Sequence, residues 1–223
     1  MKKTEYIAFC LLLLLAISCS DNISPRNDTL RVITIDTVYS FYPGEGQNAG
    51  QDSQYYPKNI FGLPGNNLDE TIPFNSPEQI LSLGLGGEIT VGFKNYKIIN
   101  GDGDDFIVFE NVFLNPINGK YFIEPAEVSV SKDGINFIKF PYDTINFIGC
   151  AGLHPTLWNS RNIQNSGGDK FDLNSIGLDY ITHIKIRDIS REILQNPKNP
   201  YYDPIISGFD LDAVIGINYE RLQ

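Results

Sequence analysis

The sequence predicts an all-β fold, a jelly-roll-like antiparallel β-sandwich with long loops and few short helices, on three observations. Segments with the two-residue period of half-buried strands recur through residues 29–223. These segments are rich in β-branched and aromatic residues. Most of the Gly, Pro and Asn lies in the stretches between them. No internal repeat is present, so a propeller is not expected.

Taken in order, residues 30–40 are rich in Val, Ile and Thr and form the first expected strand. Ser76-Pro77-Glu78 offers a short turn of helix, with Ser76 as cap and Pro77 in the first position. Residues 88–93 (EITVGF) alternate polar and apolar. Phe106-Ile107-Val108-Phe109 is apolar throughout, which suits a central strand covered on both faces. Residues 126–131 and 136–141 flank Lys132-Asp133-Gly134, the pattern of a hairpin with an Asp-Gly turn. Residues 171–176 offer a second short helix, with Asp172 within capping reach. Residues 183–188 alternate again, and residues 211–218 close the chain as a strand. Long loops are expected at 43–73, 115–124, 149–168 and 190–207.

The N-terminus is organised differently. Met1-Lys2-Lys3 is followed by an apolar run from Ile7 to Ile17. That run of about eleven residues is too short for a bilayer, which takes about twenty, and has the length of a signal-peptide core. It ends at Ser18-Cys19-Ser20-Asp21, which resembles the lipobox of bacterial lipoproteins, although Ala16 stands where leucine is usual. The expected organisation is a signal peptide over 1–18, a lipid-anchored flexible leash over 19–28 and one sandwich domain over 29–223. Diacylglycerol on Cys19, with further acylation such as palmitate, buries enough methylenes for stable anchoring. No later segment is long and apolar enough for a transmembrane helix, so the expected location is extracytoplasmic, at the outer membrane or cell surface.

Charge and cysteine content narrow the function. Cleavage before Cys19 removes two lysines and one glutamate, so the formal net charge of −10 becomes −11. Such a chain lacks the basic footprint of a nucleic-acid binder. Cys10 leaves with the leader and Cys19 is acylated, so Cys150 stands alone and is expected as a small buried residue.

Acidic residues cluster instead. Asn100-Gly101-Asp102-Gly103-Asp104-Asp105 precedes an apolar strand that ends at Glu110, and Asp210 and Asp212 flank Leu211 near the C-terminus. Calcium takes six to eight oxygens, which flexible Gly-Asp loops supply. The same pattern also makes an ordinary turn before a strand. In regular alternation Asp210 and Asp212 share one strand face, while Phe209, Leu211 and Ala213 share the other. Asp102, Asp104, Asp105, Glu110, Asp210 and Asp212 are therefore the candidate metal ligands. Glu110, Glu124 and Glu127 are the carboxylates from which a glycoside hydrolase would draw its pair. There is no Gly-x-Ser-x-Gly elbow, and His154 and His183 are the only histidines. Aromatics on the long loops, Tyr55, Tyr56, Trp158, Tyr201 and Tyr202, together with His154, are the ligand-binding candidates, because such rings stack on sugars or fill partner pockets.

Seven motifs in order carry a resemblance: Pro43-Gly44-Glu45-Gly46-Gln47-Asn48, LSLGLGGEIT at 81–90, NGDGDDFIVFEN at 100–111, Glu124-Pro125-Ala126-Glu127-Val128, Ser131-Lys132-Asp133-Gly134, GGDKFDL at 167–173 and GFDLDAV at 208–214. Together they resemble a family of secreted bacterial "cell surface proteins" that includes spirochaete lipoproteins of uncharacterised function. The resemblance implies an exported surface protein and favours one site built from Asp102, Asp105, Glu110, Asp210 and Asp212. The expected function is a lipid-anchored, non-catalytic binding module supported by calcium, with a glycan or extracellular protein as ligand. The alternatives are a carbohydrate-active enzyme using paired carboxylates and a structural envelope protein.

Overall fold

The alternating segments become strands, and each ladder between the named strands is antiparallel. The structure, a computed structural model, describes residues 31–65, 69–73 and 76–223, so the expected signal peptide, Cys19 and the leash lie outside the described residues. The strands are β1 Ile33–Thr34, β2 Thr37–Tyr42, β3 Leu81–Ser82, β4 Glu88–Gly92, β5 Tyr96–Ile99, β6 Phe106–Glu110, β7 Phe113–Asn115 and β8 Lys120–Phe122. They continue as β9 Ala126–Ser131, β10 Ile138–Lys139, β11 Asp169–Phe171, β12 Tyr180–Ile181, β13 His183–Asp188, β14 Asp210–Gly216 and β15 Tyr219–Arg221.

Two sheets form the sandwich. One has the order β1-β14-β6-β11, with β3 also on β14, and the other the order β10-β9-β13-β4-β2. Phe106, Val108, Leu211 and Val214 of the first meet Ile89, Val91, Val128, Val130, Ile184 and Ile186 of the second in one buried core. Each such side chain removed from water contributes about 1.5–3 kcal/mol, which holds the sheets face to face.

The segment expected as one strand over 30–40 divides at Ile35–Asp36. Ile35 N–H donates to Val214 O and Asp36 N–H to Gly92 O, so the chain passes from the first sheet to the second here. Buried Ile35 seals the edge where the sheets meet.

β6 is buried on both faces, as its unbroken apolar run implies. Phe106 and Val108 face the inner core, while Ile107 and Phe109 join Ile163, Ala213 and Ile215 in a separate outer cluster. The loop from Pro155 to Ser166 covers that outer face, with Trp158 edge-on to Phe109. Gly168 (φ +64°) permits the close cover, since a Cβ there would lie 2.7 Å from the Phe109 ring.

β14 departs from simple alternation. Leu211 pairs with Glu110 and Ala213 with Phe109, which leaves Asp212 as the extra residue of a bulge. Leu211 consequently faces the inner core and Ala213 the outer cluster, rather than one shared face.

The hairpin of β9 and β10 forms, with Asp133 accepting from Ile135 N–H at 2.9 Å and Asn136 N–H at 2.8 Å. Residues 76–80 make a turn only, closed by Gln79 N–H on Ser76 O. Asp172 caps the short 3₁₀ helix Leu173–Ile176 through Asn174 N–H at 2.7 Å. Among the described residues, no helix is long and apolar enough to cross a membrane.

Candidate functional site

The six expected metal ligands do not meet at one point. The reason is β6, whose five residues span about 16 Å and hold the two acidic groups at opposite ends. At the N-terminal end Asp102 is exposed and Asp104 half-buried, while Asp105 is fully buried. Asp105 Oδ1 accepts from Gly101 N–H and Asn218 Nδ2, and Oδ2 from Leu173 N–H, each at 2.8 Å. Both oxygens therefore staple three chain segments. At the other end stand Glu110 and Asp210. Asp212, in its bulge, is separate again: its carboxylate accepts from Gly65 N–H, and burial pushes its pKa up to about 7. Among the described residues, no group of three or more His, Cys, Asp or Glu is set to hold a metal ion.

Of the carboxylates expected as a hydrolase pair, Glu127 stands apart, while Glu110 and Glu124 are neighbours below the surface. Glu127 lies on β9 and pairs with Lys139 and Arg187. Glu110 and Glu124 are buried, at 2% and 4% exposure. Burial, followed by the nearby charges of Glu124 and Asp210, raises the Glu110 pKa well above the carboxylate range. Burial and Asp210 push Glu124 up to about 8, although Ser207 and Gly208 N–H groups oppose the shift.

The open site is elsewhere. Ile148, Cys150, Leu153, His154, Asp169 and Lys170 line a cavity of about 410 Å³. A second cavity of about 180 Å³ shares Ile148, Leu153 and His154 with it and adds Tyr121, Asn146 and Tyr201. A third, of about 120 Å³, shares Tyr121 and Tyr201 with the second and adds Lys120, Tyr202 and Asp203. Through these shared side chains the three cavities adjoin in a row, termed the trough.

Asp169 anchors the head of the trough. Its Oδ2 accepts from Gly152 N–H at 2.7 Å and Leu153 N–H at 3.0 Å, and its Oδ1 meets His154 Nδ1 at 2.7 Å. Those bonds fix the imidazole, and the bond to Asp169 raises the His154 pKa against the opposing effect of partial burial. Cys150 lies against the same cavity, but burial first and the charge of Asp169 second push its thiol far up, so it stays protonated at neutral pH.

Of the expected ligand-binding residues, His154, Tyr201 and Tyr202 line the trough. Trp158 instead covers β6, Tyr56 packs on Phe41 with ring centres 5.6 Å apart, and Tyr55 sits in the turn closed on Asp52 O. Sequence reasoning missed Tyr121, Ile148 and Asp169. The GGDKFDL motif contains Asp169, but the only local signal there is the helix cap at Asp172, since the partners of Asp169 at residues 152–154 are distant in sequence.

No family model and no curated protein matches the chain. Among solved structures, the chain is similar to the C-terminal domain of a chitobiase from Bacteroides fragilis, at 11% identity and a TM-score of 0.35, over 84% of this chain and 95% of that one.

Proposed function

We propose that the chain is a lipid-anchored, non-catalytic binding module of the bacterial cell surface, and that its trough takes a glycan. The observation that carries this reading is the row of three adjoining cavities that runs from His154 and Lys170 to Tyr121, Tyr201 and Tyr202. Tyrosine faces beside amide, imidazole and ammonium groups suit a sugar, which offers C–H faces and hydroxyls together. The net charge of −10 favours a neutral or basic ligand over a polyanion.

A glycan and extracellular-protein array probed with the domain from Asn27 onward tests the reading. Tyr201→Ala and His154→Ala are each expected to weaken binding about tenfold or more without a matching loss of stability. Absence of any bound glycan, or binding that survives both substitutions, refutes it. Binding to an extracellular protein alone, lost in the same variants, keeps the trough and replaces the glycan. The anchor is tested by labelled palmitate, which must enter the wild type and not the Cys19→Ala variant.

A further inference from the structure

Four carboxylates from separate segments gather where the chain enters β14. Glu110 ends β6, Glu124 precedes β9, Asp188 ends β13 and Asp210 begins β14. Four consecutive amides hold them side by side. Ser207 and Gly208 N–H donate to Glu124 Oε1, Phe209 N–H to Asp188 Oδ2 at 2.9 Å, and Asp210 N–H reaches Glu110 Oε1 at 3.3 Å. None of the four belongs to an ion pair among the described residues. Like charges at this depth cannot all remain ionised without a positive partner.

A second observation is independent of charge. Glu110 Oε2, Asp210 Oδ1, Asn111 Oδ1, Ser82 Oγ and Gln47 Oε1 are buried with no partner in good hydrogen-bond geometry. Burial raises the Asp210 pKa, although the Ser82 and Asn111 side chains lie near enough to lower it against that larger effect. Ser82 lies opposite Asp210 in the β3–β14 ladder, and Asn111 follows Glu110. Gln47 Nε2 donates to Ala49 O, the same carbonyl that receives Ser82 N–H, which leaves its Oε1 bare on the neighbouring loop. Only one other buried side-chain atom among the described residues lacks a partner, Asn59 Oδ1. Buried polar atoms are otherwise almost always satisfied, so this concentration of unpartnered oxygens calls for an explanation.

We propose that these oxygens bind one divalent cation of the calcium class. The donors are all hard: two carboxylates, two amide oxygens and a hydroxyl, with neither nitrogen nor sulfur among them. Only two acids ligate, so the set is not one of the three-acid groups that are absent among the described residues. Glu124 and Asp188 stand behind, held by backbone amides, and add negative field. The ion would tie residues 207–210 to β3 and β6 at the base of the loop that carries Tyr201 and Tyr202.

Isothermal titration of the purified chain with calcium, paired with melting in calcium and in EGTA, tests the proposal. Saturable binding at one site is expected, with a melting temperature that rises with calcium. Asp210→Asn and Glu110→Gln should each weaken binding about tenfold or more, while Asp102→Asn and Asp104→Asn leave it unchanged. In EGTA, Asp210→Asn should melt no lower than the wild type, because it removes a repelling charge. No heat of binding up to about 10 mM calcium overturns the site, since it then holds protons alone. Binding lost on Asp102→Asn and kept in Asp210→Asn overturns it equally. The wild-type titration decides even where Glu110→Gln fails to fold.

Discussion

Asp105→Asn tests most directly whether the Asp-Gly loop before β6 is a staple or a metal ligand. The side chain is fully buried and accepts three hydrogen bonds at 2.8 Å, from Gly101, Asn218 and Leu173. Bonds to a charged acceptor contribute about 1.5–3 kcal/mol each. Asparagine keeps one oxygen, so its amide group must face a donor whichever way it turns. The cheaper orientation keeps Gly101 and Asn218 and sets the amide against Leu173 N–H. One bond is then lost with its donor left buried, and two weaken from charged to neutral. The sum is about 2–4 kcal/mol, a fall in melting temperature on the order of 10 °C for a chain of this size. Asp102→Asn, on the exposed neighbour, should stay within about 0.5 kcal/mol. Urea denaturation of both variants, with and without EGTA, is the assay. A cost for Asp105→Asn below about 0.5 kcal/mol refutes the staple, and so does a cost that exists only in calcium.

The trough and its surroundings give three further expectations. The His154 pKa is raised in the fold, so its bond to Asp169 stabilises fully below about pH 6.5 and fades as pH rises through the folded-state value. With the side chain 67% exposed, the effect is under about 1 kcal/mol, and His154→Gln should flatten it in melts from about pH 5.5 to about pH 8.5. A stabilisation that grows with pH would contradict the pairing. Trp158→Ala uncovers Phe109 on the outer face of β6 and should cost about 2–3 kcal/mol, less than a fully buried tryptophan, with glycan binding unchanged. Loss of binding at full stability would place Trp158 in the site instead. Cys150 is 2% exposed with a thiol held protonated, so Ellman's reagent should label it only after unfolding in urea. Rapid labelling of the native chain would show an activated thiol.

The fold was legible where a local pattern decides it, and the site was not, because long-range pairing decides that. Residues 106–109 announced a strand covered on both faces, and the structure covers both. What the pattern could not show was the cover itself, a loop some fifty residues onward whose Trp158 looks in sequence like a free aromatic. The bulge at Asp212 is likewise invisible locally, since it exists only in the pairing of β14 with β6. One extra residue there turns Leu211 and Ala213 to opposite faces and removes Asp212 from Asp210's company. The acidic clusters illustrate the same limit from the side of charge. Asp102, Asp104 and Asp105 are adjacent to β6 in sequence and read as partners of Glu110, but a strand separates its two ends by its full length. Glu110 finds its neighbours through the sheet and the loops instead: Asp210 through the β6–β14 ladder, and Glu124 and Asp188 through the amides of residues 207–209. Of these, Asp188 carries no motif of its own, being the last residue of an alternating strand. An acidic residue in sequence thus says that a carboxylate must be satisfied somewhere. Only the ladder register says by what, and here it answers Asp105 with backbone amides and leaves Glu110 and Asp210 with bare oxygens.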